Sequence, residues 1–417
     1  MQNLRNMDAA TTAHDTLILL LKKKGVGPTM SKSLSTNDLD NLRGLFFDPT
    51  LPLATKATLL TAILFLPATP EEGVWIKNFL QHPSDYVPQE LCVLASTICT
   101  ENIFESLIKL ILSGAVLSEQ SCLSAMDYLW NQEVPAYLKA AFLEGLRLRR
   151  ETDLENHLFL NSIQSKIHPH TLDLPLIVDI SNPYDGFNRT PYLSHYTATL
   201  LASMGIPCVL HGIDEISPKR GVNTYKLLSE AKKNPLQSIK KTIQDILNPD
   251  IGWGYIDQSL LCPELYALKS VRVEMIKRPF LATLEKLLVP LRAKKTYVVT
   301  SFTHPPYRKT MTHLLQSQSH ICASLLLRGV EGSTQLALDR KTPYVVLSPQ
   351  AISEGFASPQ DFGINGQSTR DIVIYHASVI VSKLGILSSQ DAFEKSCFHW
   401  DNGDYYRHWK KGCCEKT

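Results

Sequence analysis

The 417-residue sequence contains nine cysteines but no pair spaced as C-x-x-C. This spacing argues against a zinc ribbon and against a disulfide framework, so we interpret the cysteines as reduced thiols and assign no metal site. Long apolar runs are also absent, since LLTAILFL at residues 59–66 is far shorter than the ~20 residues of a membrane-spanning helix. We therefore predict a cytoplasmic protein with no secretion signal and no membrane partner.

A large net charge is also lacking, because 42 Lys and Arg residues face 40 Asp and Glu residues. The balance hides a division: residues 1–160 carry 13 basic and 18 acidic residues, and residues 161–417 carry 29 and 22. Basic residues are concentrated in SPKRGVNTYKLLSEAKKNPLQSIKK (217–241), with seven basic residues and one acid, and in residues 267–309. Such a surface attracts polyanions, but it is equally typical of solvated helix faces.

The first 165 residues are helical in pattern and contain an internal repeat. LSTNDLDNLRGLFFDPTLPLATKATLLTAILFL (from residue 34) aligns with LSEQSCLSAMDYLWNQEVPAYLKAAFLEGLRLR (from residue 117) at a constant offset of 83, without a gap. Each copy has a serine before an apolar-periodic stretch and then a proline before a second one, which predicts a helical hairpin. We place the first copy in a separable segment 1–100 and the second in a helical domain 101–168, with QHPSDYVPQE (81–90) between the copies.

After residue 170 the pattern changes to short apolar runs that alternate with helix-length segments. PLIVDI, PCVLH, TYVVTSF, CASLLLRG and PYVVLS are candidate strands, and a helix from about Pro191 stops at Gly205. This order predicts an α/β domain over residues 169–417 with a parallel sheet and crossover helices. Residues 222–290 are rich in helix signals, and we expect them to pack on the helical domain.

The segment SGAVLSEQSCLSAMDYLWNQEVPAYLKAAFLEGLRLRRET (113–152) resembles the N-terminal helices of anthranilate phosphoribosyltransferases and the related pyrimidine nucleoside phosphorylases. The resemblance to this glycosyltransferase family 3 continues in order through VDI, HG at 211–212, RVEMIKR at 272–278 and LLLRGVEG at 325–332. It implies an α/β fold of the phosphoribosyltransferase-like type with an all-helical N-terminal domain. The first helical copy is an addition to that pattern.

Three of the family's functional motifs are altered in this sequence. The glycine-rich GTGGD loop, which holds pyrophosphate, is replaced by residues that include Pro183 and Tyr184; proline removes an N–H donor. The KHGNR motif reads LHGID, and the Asp-Glu pair that holds magnesium is replaced by Thr334 and Gln335, whose neutral oxygens bind Mg²⁺ weakly. We predict a chain that is degenerate for phosphoribosyl transfer and has no certain cofactor; Mg²⁺ is expected only if transferase activity survives.

The turn YDGFNRTPYLS, with SFTHPPYRKTM and LLLRGVEG, resembles a second bacterial branch of the family, whose members form homodimers and bind nucleic acid. By this resemblance we expect a homodimer that binds nucleic acid or a phosphorylated small molecule. We predict that phosphate or another anion is held by Ser217, Lys219, Arg220, Gly221, Arg189 and Arg328. The residues expected near the ligand are Asp185, Gly186, His211, Gly212, Arg272 and Arg278.

Each of these assignments has an ordinary structural alternative. The SPKRG segment is either an exposed turn or the opening of a helix whose free N–H groups attract anions. His211 is more simply a hydrogen-bonded core residue, and Tyr184, Phe187 and Tyr192 are more simply core aromatics than a stacking platform for bases. Two other functions stay open: an active glycosyl or phosphoribosyl transferase with an altered substrate, and a protein-interaction module that uses the duplicated helices.

Overall fold

The computed structural model of the chain describes residues 12–27, 29–95 and 102–413. The chain divides into two compact units, Met1–Thr152 with Leu268–Phe280 and Asp153–Ala267 with Leu281–Thr417. The sequence placed boundaries at residues 100 and 168, whereas the structure keeps both helical copies in one unit and divides the chain after Thr152. Most of the helix-rich segment 222–290 belongs to the second unit, and residues 268–280 of it belong to the first.

The first unit consists of helices, and the predicted repeat is visible in their boundaries. Ser35 and Ser118 cap the first helix of each copy through their side chains, and Pro52 and Pro135 directly precede the second. Equivalent helices therefore begin 83 residues apart because equivalent start signals stand before them. The helices of this unit are α1 (Ala13–Lys24), α2 (Thr36–Phe47), α3 (Leu53–Phe65), α4 (Pro70–Gln81), α5 (Ile103–Leu112), α6 (Glu119–Trp130), α7 (Ala136–Arg149) and, further along the chain, α14 (Lys269–Met275).

A buried ion pair joins α1 to α4 in this unit. The Lys24 Nζ lies 2.9 Å from both carboxylate oxygens of Glu72, and the two side chains are 1% and 0% exposed. Glu72 also accepts the backbone N–H groups of Leu34 and Thr69, each at 2.9 Å. The two charged side chains are removed from water, so each depends on the other as its charge partner, and Lys24 also donates to the carbonyl oxygen of Pro67 at 3.0 Å.

Helix length and composition bear on the membrane prediction. In the described part of the chain, no single helix is both long and apolar enough to cross a bilayer. Only α3 and α4 taken together, with a bend of 116° between them, reach that length and composition. Ten residues of α3 are buried inside the first unit, as expected for a core helix.

The second unit is built on a seven-stranded sheet in the order β4-β3-β2-β6-β7-β8-β9, with β1 and β5 forming a small parallel pair beside it. The strands are β1 (His170–Thr171), β2 (Ile177–Ile180), β3 (Cys208–Gly212), β4 (Trp253–Asp257), β5 (Leu291–Arg292), β6 (Thr296–Ser301), β7 (Ala323–Leu327), β8 (Thr342–Leu347) and β9 (Ile352–Ala357). Its helices are α8 (Asp153–Gln164), α9 (Ser194–Ser203), α10 (Thr224–Glu230), α11 (Ile239–Leu247), α12 (Gln258–Leu261), α13 (Pro263–Ala267), α15 (Leu281–Leu284), α16 (Pro305–Gln316), α17 (Thr369–Lys383), α18 (Ser389–Asp401) and α19 (Asp404–Cys413).

The sheet is mixed, whereas the sequence predicted a parallel one. Strands β4, β3, β2, β6 and β7 are parallel, but β8 runs antiparallel to β7 and β9 antiparallel to β8. The connection after β7 differs from those between the parallel strands: residues 328–341 contain one turn of 3₁₀ helix and no α-helix that would carry the chain back to the start of a parallel strand. The α/β fold itself is confirmed.

Helices α9 and α17 pack their apolar residues on one face of the sheet, together with the C-terminal helices. The aromatic and basic C-terminal segment folds back as α19 onto α9 and β4. Its Trp409 stacks on Trp253 with the rings 5.2 Å apart and also contacts His195. This segment therefore packs against the core of the second unit.

Candidate anion-binding site

Three loops follow the carboxyl ends of β2, β3 and β7: residues 181–193, 213–223 and 328–335. In open α/β sheets, ligands bind at this edge. The first two loops are joined by paired backbone hydrogen bonds between Phe187 and Val222, at 2.8 and 2.9 Å. Gly186 has φ +72°, and a Cβ there would lie 2.5 Å from the carbonyl oxygen of Val222, so only glycine permits this approach.

The carboxylate of Glu331, in the third loop, occupies an anion-binding nest formed by the first loop. It accepts the backbone N–H groups of Asn188, Arg189 and Thr190 at 3.2, 2.8 and 3.0 Å, and the Thr190 hydroxyl at 3.1 Å. Successive N–H groups that converge in this way form a site for a negative charge. Here the charge is supplied by the chain itself.

Lys219, in the second loop, completes the surroundings of this carboxylate. Its Nζ lies 3.3 Å from Glu331 Oε2 and donates to the carbonyl oxygens of Gly186 and Glu331, each at 3.1 Å. Burial opposes ionisation of Glu331, but the three backbone N–H groups and Lys219 lower its pKa to about 2. Glu331 also has φ +52°, a left-handed conformation that costs a non-glycine residue energy and that these contacts stabilise.

Replacing Glu331 with glutamine is expected to destabilise the protein by about 2 kcal/mol at neutral pH, because the depressed pKa is itself a stability contribution. The sign follows from the direction of the pKa shift. The destabilisation should be constant above about pH 5.5 and should shrink as the pH falls towards 2, because the carboxylate of the unfolded chain binds a proton in this range while that of the folded chain stays ionised. Denaturant unfolding of both chains between pH 2.5 and 7 measures it.

The matched control is Glu354→Gln, since Glu354 forms a half-exposed pair with Arg308. Surface pairs of this kind contribute little, so this change should alter the free energy of unfolding by less than about 0.5 kcal/mol. If Glu331→Gln behaves like Glu354→Gln at all pH values, the nest does not hold an ionised carboxylate.

Thr334 and Gln335, which stand where the resemblance places an acidic pair, are 0% and 2% exposed and are hydrogen-bonded to the first loop. The backbone N–H and hydroxyl of Thr334 both donate to Asn182 Oδ1 at 3.0 Å. Gln335 accepts the N–H of Leu193 and donates to the carbonyl oxygen of Pro191, both at 3.1 Å. At the positions where the resemblance implies metal-binding carboxylates, the Thr334 hydroxyl and the Gln335 amide thus bind the first loop.

Tyr184 stands in the loop after β2, where the resemblance places a glycine loop. Its side chain is buried, and its hydroxyl is hydrogen-bonded to His211 Nδ1 and to the carbonyl oxygen of Glu285. The other ring nitrogen of His211 lies 3.1 Å from Asp179 Oδ1. The cavity beside these residues measures only ≈ 10 Å³, about the volume of one water.

The residues predicted to bind phosphate divide into two groups. Ser217 and Gly221 are buried in the second loop, and Lys219 of the same loop has a side chain that is 17% exposed. The SPKRG segment does not open a helix, since α10 begins at Thr224 with Asn223 as its cap. The guanidinium-bearing residues of the prediction are at the surface: Arg189, Arg220 and Arg328.

The residues predicted near the ligand are mostly inside the protein. Asp185, Gly186, His211 and Gly212 are buried at the carboxyl ends of β2 and β3. The aromatic rings of Tyr184, Phe187 and Tyr192 are also buried, at 3%, 1% and 7% exposure, and form part of the core. The two arginines of the RVEMIKR segment belong to the first unit: Arg272 is buried in α14, and Arg278 is exposed beyond it.

Metal ligands are not clustered in the part of the chain that the structure describes. No group of three or more His, Cys, Asp or Glu side chains there is arranged to hold an ion. His399 is hydrogen-bonded to Asp404, and His408 to the carbonyl oxygen of Ile251. Both hydrogen bonds therefore connect α19 to neighbouring parts of the chain. Cys414 lies outside the described residues.

The sequence did not identify Glu331, Asn182 or Asn223 as site residues. Asn223 donates from its amide to the carbonyl oxygens of Ile213 and Tyr184 and so joins the second loop to the first. Glu331 stands in the quoted RGVEG motif and is the one acid of that motif, which was the available signal.

No family model matches the chain. Individual proteins do. An uncharacterized protein of Aquifex aeolicus is 27% identical over 243 residues, which is 58% of this chain and 72% of that protein. An anthranilate phosphoribosyltransferase of Thermomicrobium roseum is 24% identical over 57% of this chain and 66% of its own. The uncharacterized protein YbiB of Escherichia coli is 24% identical over 49% of this chain and 62% of its own.

Solved structures with a similar fold are anthranilate phosphoribosyltransferases. The enzyme of Thermus thermophilus superimposes with a TM-score of 0.59 at 17% identity, covering 74% of this chain and 98% of that one. The enzyme of Saccharomyces cerevisiae, in complex with 4-fluoroanthranilate, gives a TM-score of 0.62 at 13% identity, covering 75% and 98%. At these identities the likeness concerns the fold.

Proposed function

The chain has the fold of the anthranilate phosphoribosyltransferases and is similar in sequence to these enzymes and to uncharacterized proteins, but we propose that it does not transfer phosphoribosyl groups. It binds nucleic acid on the outer surface of the three loops. The observation that carries the first part is the Glu331 carboxylate in the nest of N–H groups at residues 188–190. A phosphate that entered this nest would have to displace a charge already held there.

The small cavity beside Tyr184 supports the absence of transfer. Its volume of ≈ 10 Å³ is far less than a phosphoribosyl pyrophosphate requires, since this ligand has two charged ends and a sugar between them. Thr334 and Gln335, which stand where the resemblance places the magnesium-binding pair, are neutral. Both are already hydrogen-bonded, to Asn182, Pro191 and Leu193. Without the cation and the free N–H donors, the leaving pyrophosphate lacks the stabilisation that the reaction requires.

The outer surface of the same loops supports the binding of a phosphate polymer. The first loop carries the exposed Arg189, and the third carries the exposed Arg328, whose Nε donates to the carbonyl oxygen of Thr303 at 3.1 Å. Glu331 connects the two loops through its hydrogen bonds to residues 188–190, so the loops that carry both arginines are joined. Arginine binds phosphate bidentately and stays charged at any physiological pH.

Ion pairs reduce the number of basic residues in segment 217–241 that are available to bind phosphate. Of the seven basic residues in segment 217–241, five lie within ion-pair distance of a carboxylate, and such pairs reduce the charge available to a partner. The pairs are Lys219 with Glu331, Arg220 and Lys226 with Glu215, and Lys233 and Lys241 with Asp245. The two arginines beside the nest are therefore better candidates for binding phosphate than Lys219.

We expect the chain to bind single-stranded nucleic acid with an affinity that falls linearly with salt on a log–log plot. Replacing Arg189 and Arg328 by alanine should reduce the slope by ~1.4, because each phosphate that an arginine no longer neutralises lowers it by ~0.7. Binding should weaken alike on all sequences, because interactions with phosphate carry no base code. Fluorescence anisotropy titrations at several salt concentrations measure both quantities.

The matched control removes two lysines from the opposite edge of the sheet. Lys294 and Lys295 are exposed and directly precede β6, so they lie at its amino end. Lys294→Ala with Lys295→Ala changes the net charge equally and should leave the slope unchanged. Binding without salt dependence, or equal slopes for the two double variants, would exclude this surface.

A further inference from the structure

The two copies of the repeat pack against each other through equivalent helices. Helix α3 of the first copy and α7 of the second begin 83 residues apart and form the most extensive helix contact among the described elements. Ten residues of each helix are buried, and α14 packs on both. A contact between equivalent surfaces is what a twofold symmetric dimer has, but here it is made within one chain.

Small residues stand at matched positions of the two helices. Ala57 is equivalent to Ala140, Thr58 to Ala141 and Ala62 to Gly145, so small side chains stand at the same positions of both helices. Small residues allow two helix backbones to approach closely. A Cβ added at Gly145 would lie 3.9 Å from Thr61 Cγ2. Thr61 directly precedes Ala62, so Gly145 of α7 lies close to the position of α3 that is equivalent to it.

The two helices also share an apolar cluster near equivalent ends. Leu148 is buried there with Ala62 and Leu66, and Phe65 packs against the same cluster. Phe65 and Leu148 are equivalent, since they are 83 residues apart. In an isologous interface, residues that lie close to their own equivalents are next to the twofold axis, so we place the pseudo-twofold axis at this cluster.

We propose that the duplicated hairpins form an internal pseudo-dimer, in which α3 covers the face of α7 that would otherwise bind a second copy of the chain. The covered face is apolar and closely packed, as interfaces between permanent partners are. The first copy of the repeat takes the place of this second chain. The full-length chain is therefore a monomer, in contrast to the homodimer that the family resemblance implies.

The test uses the full chain with Phe65→Cys and Leu148→Cys together, oxidised and separated without reductant. The expected product is a link within one chain, so that the protein still migrates at its monomer mass of 46.7 kDa. A covalent dimer, or no link at all, overturns the proposal. The unsubstituted chain is run in parallel to show any link formed by the natural cysteines.

Leu148→Cys alone is the matched control. If α7 met α7 of a second chain, this residue near the axis would link two chains, whereas we expect no dimer from it. Sedimentation velocity of the unsubstituted chain keeps the proposal testable should the double variant fail to fold. One species of 46.7 kDa over a hundredfold concentration range supports the proposal, and a stable dimer contradicts it.

Discussion

A chain shortened to begin at residue 102 is expected to lose the monomeric, cooperatively melting form of the full-length protein. Removal of the first copy uncovers the buried face of α7, including Leu148 and the surface around Gly145. A contiguous apolar face of this kind binds other copies or aggregates. The sequence had predicted that residues 1–100 could be removed without harm, and the packing of α3 on α7 is the reason to expect the opposite.

Light scattering after size exclusion, combined with thermal melting followed by circular dichroism, measures both properties of the shortened chain. A chain that begins at residue 12 is the control, since it keeps every helix from α1 onward and should remain a monomer. A shortened chain that stays monomeric and melts in one cooperative transition would restore the first copy to the status of a separable domain.

Glu72→Ala is expected to destabilise the first unit by about 3–5 kcal/mol, because it leaves the Lys24 ammonium buried without its charge partner. The same change removes the acceptor of the Leu34 and Thr69 N–H groups. Denaturant unfolding gives the difference in free energy. The destabilisation should exceed that of any surface substitution by several fold.

Glu71→Ala is the matched control for this change, because Glu71 is the exposed neighbour of Glu72 in the same first turn of α4. We expect it to change the free energy of unfolding by less than about 0.5 kcal/mol. Equal destabilisation by the two variants would mean that the effect belongs to the helix terminus and not to the buried pair.

The helical copies were predictable from sequence because their boundaries are set by local signals. A capping serine and a preceding proline act within one turn, so Ser35, Ser118, Pro52 and Pro135 could be identified without knowledge of the fold. The packing of α3 on α7 was not predictable in this way. It depends on which apolar faces meet, and residues 61 and 145 are far apart in the chain.

The candidate site was also predictable from the sequence only in part. The absence of the glycine loop and of the acidic pair was visible in the sequence, because each is a change of residue type at a motif. What replaced them was not visible: Glu331 reaches the N–H groups of residues 188–190 across about 140 residues, and its left-handed φ has no signature in a glutamate. Likewise, β8 has the composition of any buried strand, and its direction depends on the connection that precedes it.

Isothermal titration of the full-length chain with phosphoribosyl pyrophosphate and Mg²⁺ tests most directly whether Tyr184 and Glu331 close the family's phosphate site. The Glu331→Gln chain, titrated in parallel, shows whether neutralising the carboxylate that holds the nest is enough to admit the ligand. An active anthranilate phosphoribosyltransferase serves as the positive control. For the unsubstituted chain we expect no saturable heat at any ligand concentration that saturates the control; saturable binding near one ligand per chain would contradict the closed site.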